Sequence, residues 1–208
     1  MKNYIRFFLC LFLVFSCGGA AFPGDETLKR DDGREIILHE NFTWEYHEEP
    51  DIPKGPVENF DISADLTGQL NSRSGKFTVY YDPVEWHETT GLNPGAEIQI
   101  RNTDSTGFGM VIMEGIPLSL EQIKDVIVLN AQRVDSNARI VQTERVLVNG
   151  KDGAIFTYTA QYETLRFIFY NLVMSNEKGS IQFVFYTLDS VFEQLKPNFR
   201  KAMSGLIF

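Results

Sequence analysis

Ala154-Ile155-Phe156-Thr157-Tyr158-Thr159-Ala160-Gln161-Tyr162 leads, across Glu163-Thr164, into Leu165-Arg166-Phe167-Ile168-Phe169-Tyr170-Asn171-Leu172-Val173-Met174. Both runs are rich in aromatic and branched residues, the composition of strands that fill a core. Ile140 to Val148 stands before them, joined by Asn149-Gly150-Lys151-Asp152-Gly153. Ile181 to Leu188 follows, joined by Asn176-Glu177-Lys178-Gly179. Turns this short require antiparallel neighbours, because a parallel crossover needs a dozen or more residues. A four-strand meander is the frame of the fold.

Working outward, Phe77 to Tyr81 reads as a strand ended by Asp82-Pro83. Glu97 to Arg101 and Phe108 to Glu114 read as a hairpin across Asn102-Thr103-Asp104-Ser105-Thr106-Gly107. Ser119 and Gln122 form a capping box, and Ile123, Val126, Ile127, Asn130, Ala131 and Val134 trace one face of the helix it opens. The chain closes on a helical segment in two pieces. Asp189 or Ser190 caps the first, and Pro197 suits the first turn of the second. Phe192, Leu195, Phe199, Met203 and Leu206 supply its stripe. The expected class is α+β, an antiparallel sheet flanked by helices, with a small N-terminal β-hairpin.

The strands carry aromatics on alternate residues: Phe156, Tyr158 and Tyr162; Phe167 and Phe169; Phe183 and Phe185. Core packing accounts for such a pattern. A lined pocket for an apolar ligand is the sharper reading.

Residues 1–16 have the form of a signal peptide: Lys2 and Arg6, then an apolar core from Phe7 to Phe15. As a helix that core reaches about 14 Å, well short of the ~30 Å of a bilayer's hydrocarbon. Val14-Phe15-Ser16-Cys17-Gly18 resembles a bacterial lipobox, which implies thioether lipidation of Cys17 and attachment to a membrane. Phe15 departs from the lipobox pattern, and cleavage after Gly19-Ala20-Ala21 is the alternative, releasing a freely secreted product. Loss of the leader makes the formal net charge of −9 more negative still, an acidity that repels nucleic acid. Cys10 leaves with the leader, so no intramolecular disulfide is expected.

Residues 17–26 read as a spacer, 27–47 as the hairpin, 48–56 as a Pro- and acid-rich linker, and 57–208 as the main domain. Ile36, Leu38, Phe42, Trp44 and Tyr46 alternate through the hairpin, with bends at Asp32-Gly33 and His39-Glu40-Asn41. The stretch from Leu28 to Leu38, ending in Thr43-Trp44-Glu45-Tyr46, resembles a hairpin near the mature N-termini of many exported bacterial proteins. So few residues make no core of their own, so the hairpin must pack on the main domain or on a partner, with Trp44 and Tyr46 the candidate partner contacts.

Gly75-Lys76-Phe77-Thr78-Val79-Tyr80-Tyr81-Asp82-Pro83-Val84-Glu85-Trp86 resembles the opening of PsbP-like (Mog-type) domains. Val111-Ile112-Met113-Glu114 before the helix is similar to that family, as is Phe199-Arg200-Lys201-Ala202-Met203-Ser204-Gly205-Leu206 at the end. The resemblance covers roughly residues 57–208. It implies an α/β/α sandwich without a shared catalytic site, acting in binding and assembly.

The residues offer little chemistry. His87-Glu88-Thr89-Thr90-Gly91 begins like a zinc-protease motif, but glycine stands where the second histidine must be. His39 and His47 lie far from His87, so no metal is expected. The loop from Asn102 to Gly107 lacks two of the acids of a calcium loop, and Met113 replaces the bidentate glutamate. Glu45, Glu48, Glu49 and Asp51 form a charge run, which is ordinarily a solvated face. The expectation is a non-enzymatic envelope lipoprotein binding a protein partner, without cofactor, in the periplasm or at the cell surface. A carrier of a small apolar ligand is the alternative.

Overall fold

The computed structural model describes residues 57–208 throughout, Ile52 and Pro53, and the backbone of three short strands. Those three are β1 (Glu26–Lys29), β2 (Glu35–Leu38) and β3 (Trp44–Tyr46), an antiparallel sheet in the order β1-β2-β3. The expected hairpin therefore has a third strand, β1, beyond the two alternating runs. Residues Leu11–Asp51 form one compact unit, and Ile52–Phe208 belong to another.

The larger unit runs β4 (Glu58–Phe60), β5 (Gly68–Asn71), β6 (Thr78–Tyr81), β7 (Trp86–Glu88), β8 (Ile98–Asn102) and β9 (Gly107–Glu114). Helix α1 (Leu120–Gln132) follows, then β10 (Arg139–Val148), β11 (Lys151–Tyr162), β12 (Leu165–Asn176) and β13 (Gly179–Leu188). A 3-10 turn (Asp189–Val191), helix α2 (Phe192–Ser204) and β14 (Leu206–Ile207) complete it. Eight strands form one sheet in the order β4-β10-β11-β12-β13-β9-β8-β7, and three form another, β14-β6-β5.

The large sheet corrects the expectation of a purely antiparallel one. The meander is antiparallel as read, but β4 lies parallel to β10 at Glu58 to Phe60, so the sheet is mixed. A three-residue, half-polar strand gives no periodic signal, and its parallel partner lies far along the chain. The strand from Thr78 to Tyr81 pairs in the smaller sheet, with β5 and β14.

Helix α1 opens as its capping box dictates. Ser119 Oγ accepts from the Gln122 amide at 3.2 Å, and Gln122 Oε1 accepts from the Ser119 amide at 2.8 Å. Ile123, Ile127 and Ala131 are buried; Val126 and Asn130 are half-buried, and Val134 lies beyond the helix and exposed. The terminal segment is a short 3-10 turn leading into one continuous helix, not two helical pieces. Val191 occupies its N-cap without a side-chain bond, and Pro197 sits inside it. Proline removes one backbone bond there and is exposed, while Phe192, Phe199, Ala202 and Met203 anchor the buried side. Leu206 belongs to β14, because the chain leaves the helix at Gly205. A Cβ on Gly205 would lie 1.9 Å from the Tyr80 carbonyl oxygen, so only glycine permits that approach.

The sheet buries both faces. Tyr170, Leu172, Ile181, Phe183 and Phe185 meet Phe192, Phe199 and Met203 of α2, together with Phe77, Val79 and Leu206. Phe185 stacks on Phe199 at 4.9 Å and meets Trp86 edge-on at 5.2 Å. Each fully buried phenylalanine of this layer contributes about 1.5–3 kcal/mol. On the opposite face Ile123 and Ile127 of α1 pack on Ala154, Phe156 and Val173. Ala131, Ala138, Phe169 and Val184 pack beyond them.

Candidate functional site: an aromatic row ending in arginine

The face that carries α1 holds a straight cross-strand row. Tyr158 pairs with Phe169, Phe169 with Tyr186, and Tyr186 with Phe108, on β11, β12, β13 and β9 in turn. The same row continues through Arg101 on β8 to His87 on β7. Directly opposed residues point the same way, so four rings stand side by side. Their centroids are 4.8, 5.6 and 5.2 Å apart, with interplanar angles of 4°, 27° and 20°. Phe169 is buried at the middle; Tyr158, Tyr186 and Phe108 are half-buried. Burial pushes the Tyr186 hydroxyl well above the ordinary phenol range, and that hydroxyl has no hydrogen bond among the described residues.

Arg101 ends the apolar part. Its guanidinium donates to Ser105 Oγ at 3.0 Å and, at 3.5 Å, to the Asn102 carbonyl, and it pairs with no carboxylate among the described residues. His87 Nε2 lies 3.2 Å from Thr103 Oγ1. The Asn102 side chain fixes the hairpin beside them, accepting from Thr106 and Gly107 amides at 2.8 and 2.9 Å. The loop from Asn102 to Gly107 is thus a self-bonded polar turn. The row sets four stacked rings in line with a cation on one face of the sheet.

The other face carries a charged cluster. Arg200 of α2 bonds Glu144 Oε2 at 2.9 Å, Glu58 and the Tyr170 hydroxyl, and lies 4.8 Å from the Phe60 ring centroid. Burial, reinforced by Glu144, drives the Tyr170 hydroxyl far upward. Lys201 bonds Asp82 at 2.9 Å and Asp65 at 3.1 Å. Arg200 ties α2 to β4, β10 and β12, and Lys201 ties it to the turn before β5 and the loop after β6. Among the described residues no three His, Cys, Asp or Glu side chains gather in a way that would hold a metal ion.

Of the residues singled out from sequence, Cys17 and the leader lie outside the described residues. Trp44 stands across from Leu38, and Tyr46 across from Ile36, in the backbone pairing of β3 with β2. The aromatics named for a pocket divide between the two faces. Phe183 and Phe185 join the α2 core, Phe156 lies under α1, Phe167 packs partly buried against the Phe169 cluster and Tyr162 ends β11, so Tyr158 and Phe169 are the two that stand in the row. Tyr186, Phe108 and Arg101 were missed. The turns held the signal: counting back from a two-residue bend at Glu177-Lys178 pairs Phe169 with Tyr186.

The sheet, its two helices and the order of elements define a PsbP-like fold. The structure is similar to cyanobacterial PsbP (CyanoP) from Synechocystis sp. PCC 6803, at a TM-score of 0.51 and 13% identity, covering 70% of this chain and 94% of that one. A structure from Bacteroides thetaiotaomicron VPI-5482 aligns at a TM-score of 0.44 and 14% identity, over 68% of this chain and 48% of that one. Protein PA94 of unknown function from Pseudomonas aeruginosa aligns at 0.40 and 8%, over 89% and 97%. No family model matches the sequence, and no curated protein does. Among the described residues no helix is long and apolar enough to cross a membrane.

Proposed function

We propose that this chain is a non-enzymatic lipoprotein of the bacterial envelope, tethered through Cys17, whose PsbP-like domain is delivered to a protein partner. The observation that carries the reading is the register of the N-terminal sheet. Trp44 and Tyr46 occupy alternate positions of the strand β3, opposite Leu38 and Ile36, so four apolar residues share one side of a small sheet. A sheet of three short strands needs a partner surface for such a side. Photo-crosslinkers placed at 44 and 46 in intact cells test it. One envelope protein should be captured from both positions and not from Ile37 or Glu45, which pair in the opposite alternation. Equal capture from all four would discard the partner surface. The intact mass and N-terminal residue of the processed protein decide the tether: a diacylglyceryl-modified Cys17 is expected, and an unmodified N-terminus after Ala21 overturns it.

A second reading, a carrier of a small apolar ligand, is favoured by the aromatic row. Four rings stand in register on the face of the sheet that carries α1, three of them half-buried. Native mass spectrometry of protein from its source should show a bound small molecule, and a bare polypeptide mass would count against the carrier.

A further inference from the structure

Asn149-Gly150 is the single Asn-Gly pair in the sequence. It makes the two-residue bend between β10 and β11, with φ of 51° and 77°, a left-handed turn that asparagine and glycine tolerate. The Asn149 side chain does more than turn the chain. Its Oδ1 accepts from the Ile62 amide at 3.0 Å, and its Nδ2 donates to the Ser204 and Leu206 carbonyls at 2.9 and 3.1 Å. Its own backbone amide donates to the Phe60 carbonyl at 3.0 Å. One half-buried residue thus fastens the exit of β4, the end of α2 and β14, and joins the large sheet to the small one. Both side-chain hydrogens go to carbonyls, a demand that a carboxylate, which only accepts, could not meet.

Asn-Gly is also where an asparagine side chain is most open to its own backbone, because glycine has no Cβ to hinder ring closure. We infer that Asn149 is a deamidation site which the fold holds shut, so that conversion there records unfolding and leaves the returning chain less stable. In the unfolded chain the Gly150 backbone nitrogen, losing its proton to solvent, attacks the Asn149 side-chain carbonyl carbon. A C–N bond forms, and Nδ2 takes up a proton and leaves as ammonia. Water then opens the cyclic imide at either carbonyl, leaving aspartate or isoaspartate at position 149. The sum is amide plus water giving acid plus ammonia, with no change of oxidation state. In the folded chain the side chain is held on Ile62, Ser204 and Leu206, and reaction waits for those bonds to open together. Once converted, the position brings a negative charge against two carbonyl oxygens, and isoaspartate adds a backbone carbon to a two-residue turn. Each unfolding therefore makes the next one easier.

Ageing the full chain at mildly alkaline pH, in buffer and in guanidinium chloride, followed by peptide mass mapping, tests this. Conversion at 149 should be at least about tenfold slower in buffer than in denaturant, and in denaturant it should precede conversion of every other asparagine. Equal rates in the two conditions overturn protection by the fold, and faster conversion elsewhere overturns the site. Converted and unconverted chains from one denaturant-aged sample, refolded and parted by ion exchange, are then compared in urea unfolding. The converted chains should show an unfolded fraction raised at least about tenfold, the scale of two lost hydrogen bonds. Equal midpoints overturn the role of Asn149 in joining the sheets, and the comparison needs no variant to fold.

Discussion

Arg200 on α2 holds Glu144 on β10 at 2.9 Å, and the same guanidinium reaches Glu58 and covers the Phe60 ring, both on β4. One side chain thereby fastens the terminal helix to the parallel edge of the sheet. Strand β4 has three residues and pairs over only three positions, too few to hold an edge by backbone bonds alone. The clamp supplies the remainder.

Arg200→Ala is expected to cost about 2–3 kcal/mol in urea unfolding, less than the 3–5 of a fully buried pair because both side chains keep some solvent contact. Most of that loss comes from leaving Glu144 beside Tyr170 without its cation. Arg200→Met with Glu144→Leu should recover much of it. A double variant as unstable as Arg200→Ala would show that the clamp acts through packing on Phe60 and not through charge.

The Asp82 and Lys201 pair sets a pH dependence of definite sign. The Lys201 hydrogen bond holds the Asp82 carboxyl below its ordinary value of 3.8. The stabilisation is therefore present above that value and is lost as pH falls through the lowered one. Asp82 in turn raises Lys201 above 10.5, so the same pair contributes fully below that pH and is lost as pH rises through the raised value. Asp82→Asn should destabilise by about 0.5–1 kcal/mol near neutrality, given the exposure of Lys201, and the gap should close as pH falls below 3.8 through the lowered value. A gap that is constant from pH 7 to pH 2 would sink the assignment.

How much of this was legible in the sequence follows from where the information lies. Local rules placed α1, because Ser119 and Gln122 satisfy each other within one turn. They also placed the meander, whose turns are a few residues long. Non-local pairing escaped them: β4 joins β10 across more than eighty residues, and β14 joins β6 across more than a hundred. Pro197 misled by a local preference that the buried aromatic side of α2 overrides. The aromatic row escaped because alternation tells which residues share a face of one strand, whereas register tells which residues share a row across several. Of the resemblance, the fold is what the structure supports.

Tyr170 and Tyr186 offer a spectroscopic check on burial. Desolvation raises both hydroxyls above the usual phenol value of 10.0, in Tyr170 with help from Glu144. Folding therefore favours the protonated form, and stability falls as pH rises past the unfolded-state value. Phenolate absorbance should show a late step that coincides with alkaline unfolding. Tyr170→Phe and Tyr186→Phe should each remove one tyrosine's share of that step. Ionisation of either group while the far-ultraviolet signal is still native would contradict the burial described.

Asn171 lies one row from the aromatic track, between Phe169 and Val173 on β12, opposite Phe156 and Val184. Its side chain is wholly buried, and its amide donates to Gln182 Oε1 at 3.0 Å. Its Oδ1 has no partner among the described residues. A buried acceptor left so costs roughly 1–3 kcal/mol, whereas leucine has the same number of heavy atoms and no polar demand. Asn171→Leu is therefore expected to stabilise the fold by about 1 kcal/mol, because the half-buried Gln182 can turn to water while the apolar neighbours gain a methyl-rich contact. Urea unfolding of the two proteins, each freed of bound small molecules, measures it. A less stable Asn171→Leu variant would mean that Oδ1 is satisfied in solution, and this explanation of the residue would fail.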